Sequence, residues 1–463
     1  MSILPFAGPA LVQPFATDEE ADLVNRMVNK LSLYEASNAL KLAYYEGEQR
    51  VRALGIAVPP NLARVKVIVG WAGTVVDVLE ERLDWQGWRS DGNPYGLDEI
   101  YSANSLALDS GKAHLDALIY GTSFAVVGSG DVGEPNPLIT VHSPRTMTGL
   151  WNARKRRLDA ALSVVTQDGV VVEATLYRDN ETVVFSREGN NPWTVVDRDR
   201  HNLGRPLAVQ LENRPRNDVC GRSEISKAVR SYTDQGVRTM LAMEIHREFF
   251  QAPQRYALGV EAEDFTASDG TVRTGWETIM GRVWAIGRNE EGELPTVGQF
   301  TPASPEPYIN QVKTLAQLLA AEASMPAHYL GFQTDNPASA DAIRAGESRL
   351  VKRAERRQLS FGQSWLEVAR LAMLVRDGRV PEGFDAVVSA KWGDPATPTR
   401  SAAADEAVKL VGGGILPADS TVTMDRLGFS PDEQKQLASD RRRASGSAVL
   451  RSLMSNADDA GTP

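Results

Sequence analysis

Gly128-Ser129-Gly130-Asp131-Val132-Gly133 has the GxGxxG spacing that, between a strand and a helix, lets backbone amides cradle a pyrophosphate. The strand-like Phe124 to Val127 precedes it, but Glu134-Pro135-Asn136-Pro137 follows and leaves no helix to present its N-terminus, so the glycines read as a turn. Gly111-Lys112 lacks the upstream glycine of a phosphate loop, since Leu106 stands there, and Ala113 replaces the Ser or Thr that would reach a metal. His114, His142, His201, His246 and His328 are scattered with neither HExxH nor paired ligand spacing, and read as structural. No GxSxG elbow occurs. The single cysteine, Cys220, stands beside no cysteine-protease signature and excludes both a disulfide within the chain and a Cys-based zinc site within it. Acid pairs such as Glu19-Glu20, Glu80-Glu81 and Glu290-Glu291 are common on solvated faces. The sequence therefore predicts no catalytic residue, no metal and no cofactor.

One segment carries a different chemistry. From Ser339 to Arg376, apolar residues fall at spacings of three, four or seven (Ile343, Leu350, Ala354, Phe361, Trp365, Val368, Ala372 and Val375), which predicts a long amphipathic helix. Its other face carries Arg344, Arg349, Lys352, Arg353, Arg356 and Arg357. Such a face can meet phosphates; alternating Arg and Glu equally describes a solvated helix or a salt-bridged surface between subunits. The chain as a whole is acidic, with 60 Asp and Glu against 50 Lys and Arg, which argues against a general phosphate-clinging surface.

The elements that must position these residues follow from patterning. At 463 residues the chain is too long for one small module, and its apolar content is ordinary for a globular protein. The start has no basic n-region, is broken by Pro5, Pro9 and Pro14, and does not read as a signal peptide; no apolar window is long enough to span a membrane. Helices are expected over Thr17 to Leu54, with a capping box at Thr17 and Glu20 and a stripe of Leu23, Met27, Leu31 and Tyr34, then over Leu62 to Leu83 and Leu97 to Tyr120 with an aromatic turn between the last two. From Gly121 to Arg214 the period becomes near-alternating with turn residues between short runs, which predicts an antiparallel meander. A helix from Ser223 to Phe250, using Ile225, Val229, Tyr232, Met240, Met243 and Phe250, and another from Pro307 to Ala323, using Ile309, Val312, Leu315 and Leu319, flank a small β insertion that includes Arg282 to Gly287. Helical pieces at Ala402 to Val411 and Pro431 to Arg443 precede a polar end expected to fray.

Several segments together resemble the portal proteins of tailed bacteriophages, in the branch typical of long, flexible-tailed phages. The most specific are GRSEI at Gly221 to Ile225, APQRYALG at Ala252 to Gly259, and MPAHYLGFQTDNPASADAIRAGESRL at Met325 to Leu350. YYEGEQR at Tyr44 to Arg50, LGRPLAVQLENRPR at Leu203 to Arg216 and KWGDPATPT at Lys391 to Thr399 support them in order and spacing.

The resemblance implies an α+β, mainly helical portal fold with a β-rich wing subdomain, a two-helix stem, a small β clip and a helical crown. Residues 1–221 would form the wing, 222–252 and 306–324 the stem, 253–305 the clip, 325–340 the tunnel loop, 341–377 the inner-wing helix and 378–463 the crown and tail. It implies a homo-oligomer, a dodecameric ring at one capsid vertex. Double-stranded DNA would pass through it non-specifically. Its expected partners are the terminase large subunit, a head-completion or adaptor protein, and the major capsid and scaffolding proteins, with no membrane. The resemblance places Gln333, Thr334, Asp335 and Asn336 nearest the DNA; Asp335 could instead cap the next helix or face away. Arg344, Arg349, Lys352 and Arg353 become candidate channel or intersubunit residues. Arg288, Asn289, Glu290, Glu291 and Glu293, the most charged turn of the clip, become candidate partner contacts. The alternatives are a host enzyme with an unfamiliar active site and a sequence-specific DNA-binding protein.

Overall fold

The computed structural model describes residues 17–51, 66–90, 92–168, 170–189, 193–217, 221–250, 255–259, 292, 294, 296–301, 303–331, 340–396, 400–429 and 431–459. The chain divides into two compact units, Met1–Trp392 and Gly393–Pro463.

In the first unit, helix α1 (Asp18–Tyr45) begins as its sequence dictates: Thr17 accepts the Glu20 backbone N–H at 3.2 Å. Its buried stripe is Val24, Met27 and Leu31, with Leu23 packed at the edge, whereas the expected Tyr34 is exposed. The second expected helix is shorter, α2 (Trp71–Glu80), and the aromatic turn after it is a strand, β1 (Trp85–Arg89). Aromatic side chains favour a half-buried pleated surface, and β1 gains a partner late in the chain. The helix predicted over Leu97 to Tyr120 is two, α3 (Leu97–Ala103) and α4 (Leu106–Tyr120). Asn104 makes the break: its side chain accepts the Ile139 N–H at 2.7 Å and donates to the Ile100 and Pro137 carbonyls, pinning a distant strand at the cost of helical continuity.

The meander is present and divides between two sheets. Strands β2 (Thr122–Gly128), β3 (Leu138–His142) and β9 (Ala208–Glu212) form an antiparallel sheet in the order β3-β2-β9. Between them, β4 (Met147–Asn152), β5 (Arg157–Gln167), β6 (Val170–Tyr177), β7 (Thr182–Ser186) and β8 (Thr194–Asp199) make a five-stranded antiparallel sheet in sequence order. Helix α1 covers that sheet and closes a small core with Leu162, Leu176, Val183 and Phe185. The Glu20 carboxylate, expected to fold back on its own cap, instead takes a bidentate grip from Arg198 on β8 (2.9 and 3.2 Å) and fixes the helix to the sheet.

Helix α5 (Lys227–Phe250) packs against α6 (Glu306–Ala323). Val229, Val237, Val312, Leu315 and Leu319 are buried there, whereas the expected Ile309 is exposed. Between the two helices run strands β10 (Arg255–Leu258) and β11 (Thr296–Gln299), paired antiparallel; the run Arg282 to Gly287 lies outside the described residues. The long helix α7 (Ala340–Asp377) buries Leu350, Ala354, Phe361, Trp365, Val368 and Ala372 in the main core, as its period predicts. Its Trp365 stacks on Trp85 at 4.2 Å, and β12 (Ser389–Trp392) pairs antiparallel with β1, so the end of this unit returns to the aromatic cluster at β1. A single helical turn, Phe384–Val387, precedes β12.

The second unit holds α8 (Arg400–Gly412), α9 (Thr421–Arg426) and α10 (Pro431–Asp459). The last helix runs well past Arg443 instead of ending there, since no proline between residues 444 and 459 stops it. Among the described residues, no helix is long and apolar enough to cross a membrane.

Candidate functional site

The GRSEI segment lies where α4 ends. Gly121 caps α4 with φ +107°, and Gly221 crosses it so closely that a Cβ would stand 2.0 Å from the Gly121 oxygen. Backbone hydrogen bonds from Glu224 to Leu118, from Asn213 to Gly121 and from Arg222 to Asn213 lock the crossing, and the Ser223 hydroxyl donates to Ile119. This placement carries Glu224 into the interior with a fully buried side chain.

Three cations converge on that carboxylate. Arg357 reaches one oxygen and Arg353 the other, each at 2.5 Å, and Arg214 lies at 3.4 Å. Asn213 bridges the cluster, donating to Glu224 at 3.1 Å while accepting from Arg357 at 3.2 Å. Burial alone would raise the Glu224 carboxyl; Arg357 and Arg353 overcome it and hold it below its usual value. A clasp of this kind welds α7 to the strand end at Asn213 and to the head of α5.

A second clasp holds α7 nearer its N-terminus. Tyr329, in the 3-10 turn Ala327–Leu330, donates to Glu347 at 2.5 Å and accepts from Arg82 at 2.9 Å, while Arg82 lies 3.4 Å from Glu347. All three side chains are largely covered, and the pair Tyr329 and Glu347 flanks residues 332–339 on both sides. Burial and the Glu347 hydrogen bond push the Tyr329 hydroxyl up.

Gln333, Thr334, Asp335 and Asn336 lie outside the described residues, as do Arg288, Asn289, Glu290, Glu291 and Glu293 and the side chain of Arg344. Arg349 is exposed, and Lys352 is exposed beside Glu355 at 2.5 Å. The Arg353 guanidinium reaches Glu224 inside its own chain. Sequence reasoning did not find Glu224, Arg357, Arg82, Tyr329 or Glu347 as clasps. The available signal was that Glu224 sits in GRSEI and that Tyr329 and Glu347 fall in the Met325 to Leu350 segment. Among the described residues no three His, Cys, Asp or Glu side chains gather as a metal site. His114 is wholly buried and pulled down to about 3 by that burial, and its Nε2 accepts the Trp365 indole N–H at 2.9 Å.

The carboxylates of Glu20, Glu224 and Glu347 each tie one element of the chain to another. The chain belongs to the family of phage portal proteins described as SPP1 Gp6-like, whose model matches residues 32–447. The portal protein of Mycobacterium phage D29 is 33% identical over 410 residues, covering 85% of this chain and 83% of that protein. The portal protein of Mycobacterium phage L5 is 32% identical over 414 residues, covering 86% and 84%. Among solved structures, a chain from the virion of a native gene transfer agent particle is 16% identical with a TM-score of 0.43, covering 86% of this chain and 99% of that one. A chain from the neck of an empty gene transfer agent particle is 14% identical with a TM-score of 0.39, covering 84% and 98%. The chain is thus a portal-vertex protein of a phage virion.

Proposed function

We propose that twelve copies of this chain close into a ring through which double-stranded DNA is driven into the capsid and later leaves it. The observation that carries this reading is the family match over residues 32–447. In it, residues 1–221 are the wing, α5 and α6 the stem, 253–305 the clip and 325–340 the tunnel loop. The terminase large subunit and the head-completion or adaptor protein dock on the clip through Arg288 to Glu293, and capsid and scaffolding proteins meet the outside of the ring. The packing of α5 on α6, with the strands β10 and β11 between them in sequence, supports a two-helix stem that projects a small β insertion.

The net charge of −10 suits a conduit, because DNA must slide and strong phosphate contacts would trap it. Arg349 and Lys352, both exposed on α7, can guide the strand or meet a neighbour. The clasp of Arg82, Tyr329 and Glu347 supports the tunnel-loop assignment from outside the loop, because it joins residues on either side of 332–339 in the chain.

Asp335→Lys tests the assignment. A ring of carboxylates becomes a ring of ammonium groups, and packaging is expected to slow or stall while ring assembly is unchanged. A cross-linker placed at position 335 should capture DNA during packaging. Strong cross-links from wing positions with none from 335, together with normal packaging by Asp335→Lys, would mean that this loop does not line the path.

A further inference from the structure

The densest basic run of the chain, Arg154-Lys155-Arg156-Arg157, forms the turn from β4 to β5. Asn152 orders it, accepting the Arg154 and Lys155 N–H groups at 3.0 and 3.1 Å, and Lys155 is held by Asp159 at 2.8 Å. Arg156 is exposed and occupies the left-handed region at φ 52°, a conformation that a non-glycine residue holds at a cost. Beside this turn, between it, β9 and α7, lies a groove of about 810 Å³. Its cations are Lys155, Arg156, Arg157, Arg205, Arg216 and Arg370, against only Glu212 and Glu367, and Leu158, Ala208 and Val209 contribute an apolar floor.

The charges inside the groove are not balanced. Glu367 is shared by Arg205, at 2.7 Å, and Arg370, which also pairs with Asp385 at 2.6 Å. The Nε atoms of Arg157 and Arg205 are buried without a protein partner. Burial, then Arg157 and Arg370, pulls Arg205 down to about 10. A carboxylate entering here would relieve that crowding.

The chain carries a matching projection in the turn between β2 and β3. This is the glycine-rich motif Gly128 to Gly133, which leads into a strand and not a helix. Gly130 lies so close to Pro135 that a Cβ would stand 2.1 Å from its oxygen. Asp131 and Glu134 exchange hydrogen bonds at 3.0 Å, one through the Glu134 carboxylate and one between backbones. The tip is therefore preformed, and it presents Asp131 and Glu134 around Val132, a wholly exposed valine. Among the described residues, none of 129–136 lines the groove of its own chain.

We propose that this turn of one subunit seats in the basic groove of its neighbour, with Asp131 and Glu134 meeting Arg156, Arg157 and Arg205, and Val132 meeting the apolar floor. The inference rests on the ring reading, which requires two different and complementary surfaces on every subunit. A phosphate backbone would satisfy the cations but has no use for the floor; an acidic turn with a valine at its tip uses both.

Asp131→Arg and Arg156→Glu replace exposed side chains, and each is expected to raise the concentration for half-assembly about tenfold, read by native mass spectrometry of the full chain at fixed salt. Combined in one chain, the two reversals should restore assembly to near the parental value, since position 131 then carries the positive charge that the carboxylate at position 156 seeks. Unchanged thermal melts of the isolated subunits guard against a folding effect; if either variant melts early, Asp131→Asn and Arg156→Gln, which only neutralise, take its place with a smaller shift in the same direction. Single variants that assemble like the parent, or a combined variant no better than the worse single, would overturn the contact and leave the ring reading intact. A parent chain that forms no ring would sink the ring reading itself.

Discussion

Glu224→Ala is expected to abolish or severely weaken folding of the first unit. The substitution leaves Arg353 and Arg357 inside the protein with no counter-charge, and breaking a buried pair from one side costs about 3–5 kcal/mol, a large part of the stability of any domain. Glu224→Gln keeps the shape and one acceptor, so it should fall between the parent and Glu224→Ala. The pH dependence has a definite sign. A carboxylate held below its unfolded value contributes stability that is present above that value, about 4.5, and is lost as pH falls through the lower folded one. Chemical denaturation from about pH 7 down to about pH 3 should show the parent losing stability at the acid end and Glu224→Gln losing less there. A Glu224→Ala protein as stable as the parent would mean that the clasp carries no weight.

Trp365→Ala should cost a similar amount by a different route. The indole is wholly buried, stacks on Trp85, and fills the junction of α7 with β1 and α4; removing a buried Trp costs about 3–5 kcal/mol through lost burial and the remaining cavity. It also orphans the His114 Nε2. Trp365→Phe restores most of the volume but not the donor, so its smaller loss isolates the hydrogen bond. His114 adds its own pH signature. Because its folded pKa is about 3, the unfolded chain binds a proton that the folded one refuses between the ordinary histidine value of 6.5 and 3, and stability falls as pH drops through that window. Glu212, raised by burial to about 7, works in the opposite direction between 4.5 and 7, so the His114 contribution is read as the difference between the parent and His114→Gln. Circular dichroism melts of these variants decide the matter; Trp365→Ala melting within a degree or two of the parent would contradict the packing account.

Local signals were legible where one periodicity governed a segment. Helix α7 buries the residues its spacing selects because a single apolar stripe faces a single core, and Thr17 caps α1 because the cap needs only its own first turn. Where a distant segment competes, the local signal fails. Asn104 looks helical until Ile139 and Pro137 claim its side chain, and Trp85 looks like part of a turn until β12 arrives to pair with it. Glu20 keeps half of the capping box and gives its carboxylate to Arg198. Ile309 and Tyr34 have the right spacing, yet the described residues leave about half of each exposed.

The charged clasps were the least legible, for a physical reason. Arg353 and Arg357 stand one turn apart on α7, a spacing that looks the same on a solvated face as beside a buried carboxylate. Only the crossing of Gly121 and Gly221, set by the fold, brings Glu224 under them. The family resemblance marked the segments that hold Glu224, Tyr329 and Glu347, but not those of their partners Arg82, Arg353 and Arg357. The basic run at Arg154 to Arg157 takes its meaning from Arg205 and Arg370, which the fold brings to the same groove.

The account turns on assembly. Electron microscopy of the purified full-length chain at micromolar concentration, and of procapsids that contain it, should show closed rings with twelvefold symmetry and a central opening. A chain that remains monomeric under these conditions, with no ring at any vertex of the procapsids, would contradict it.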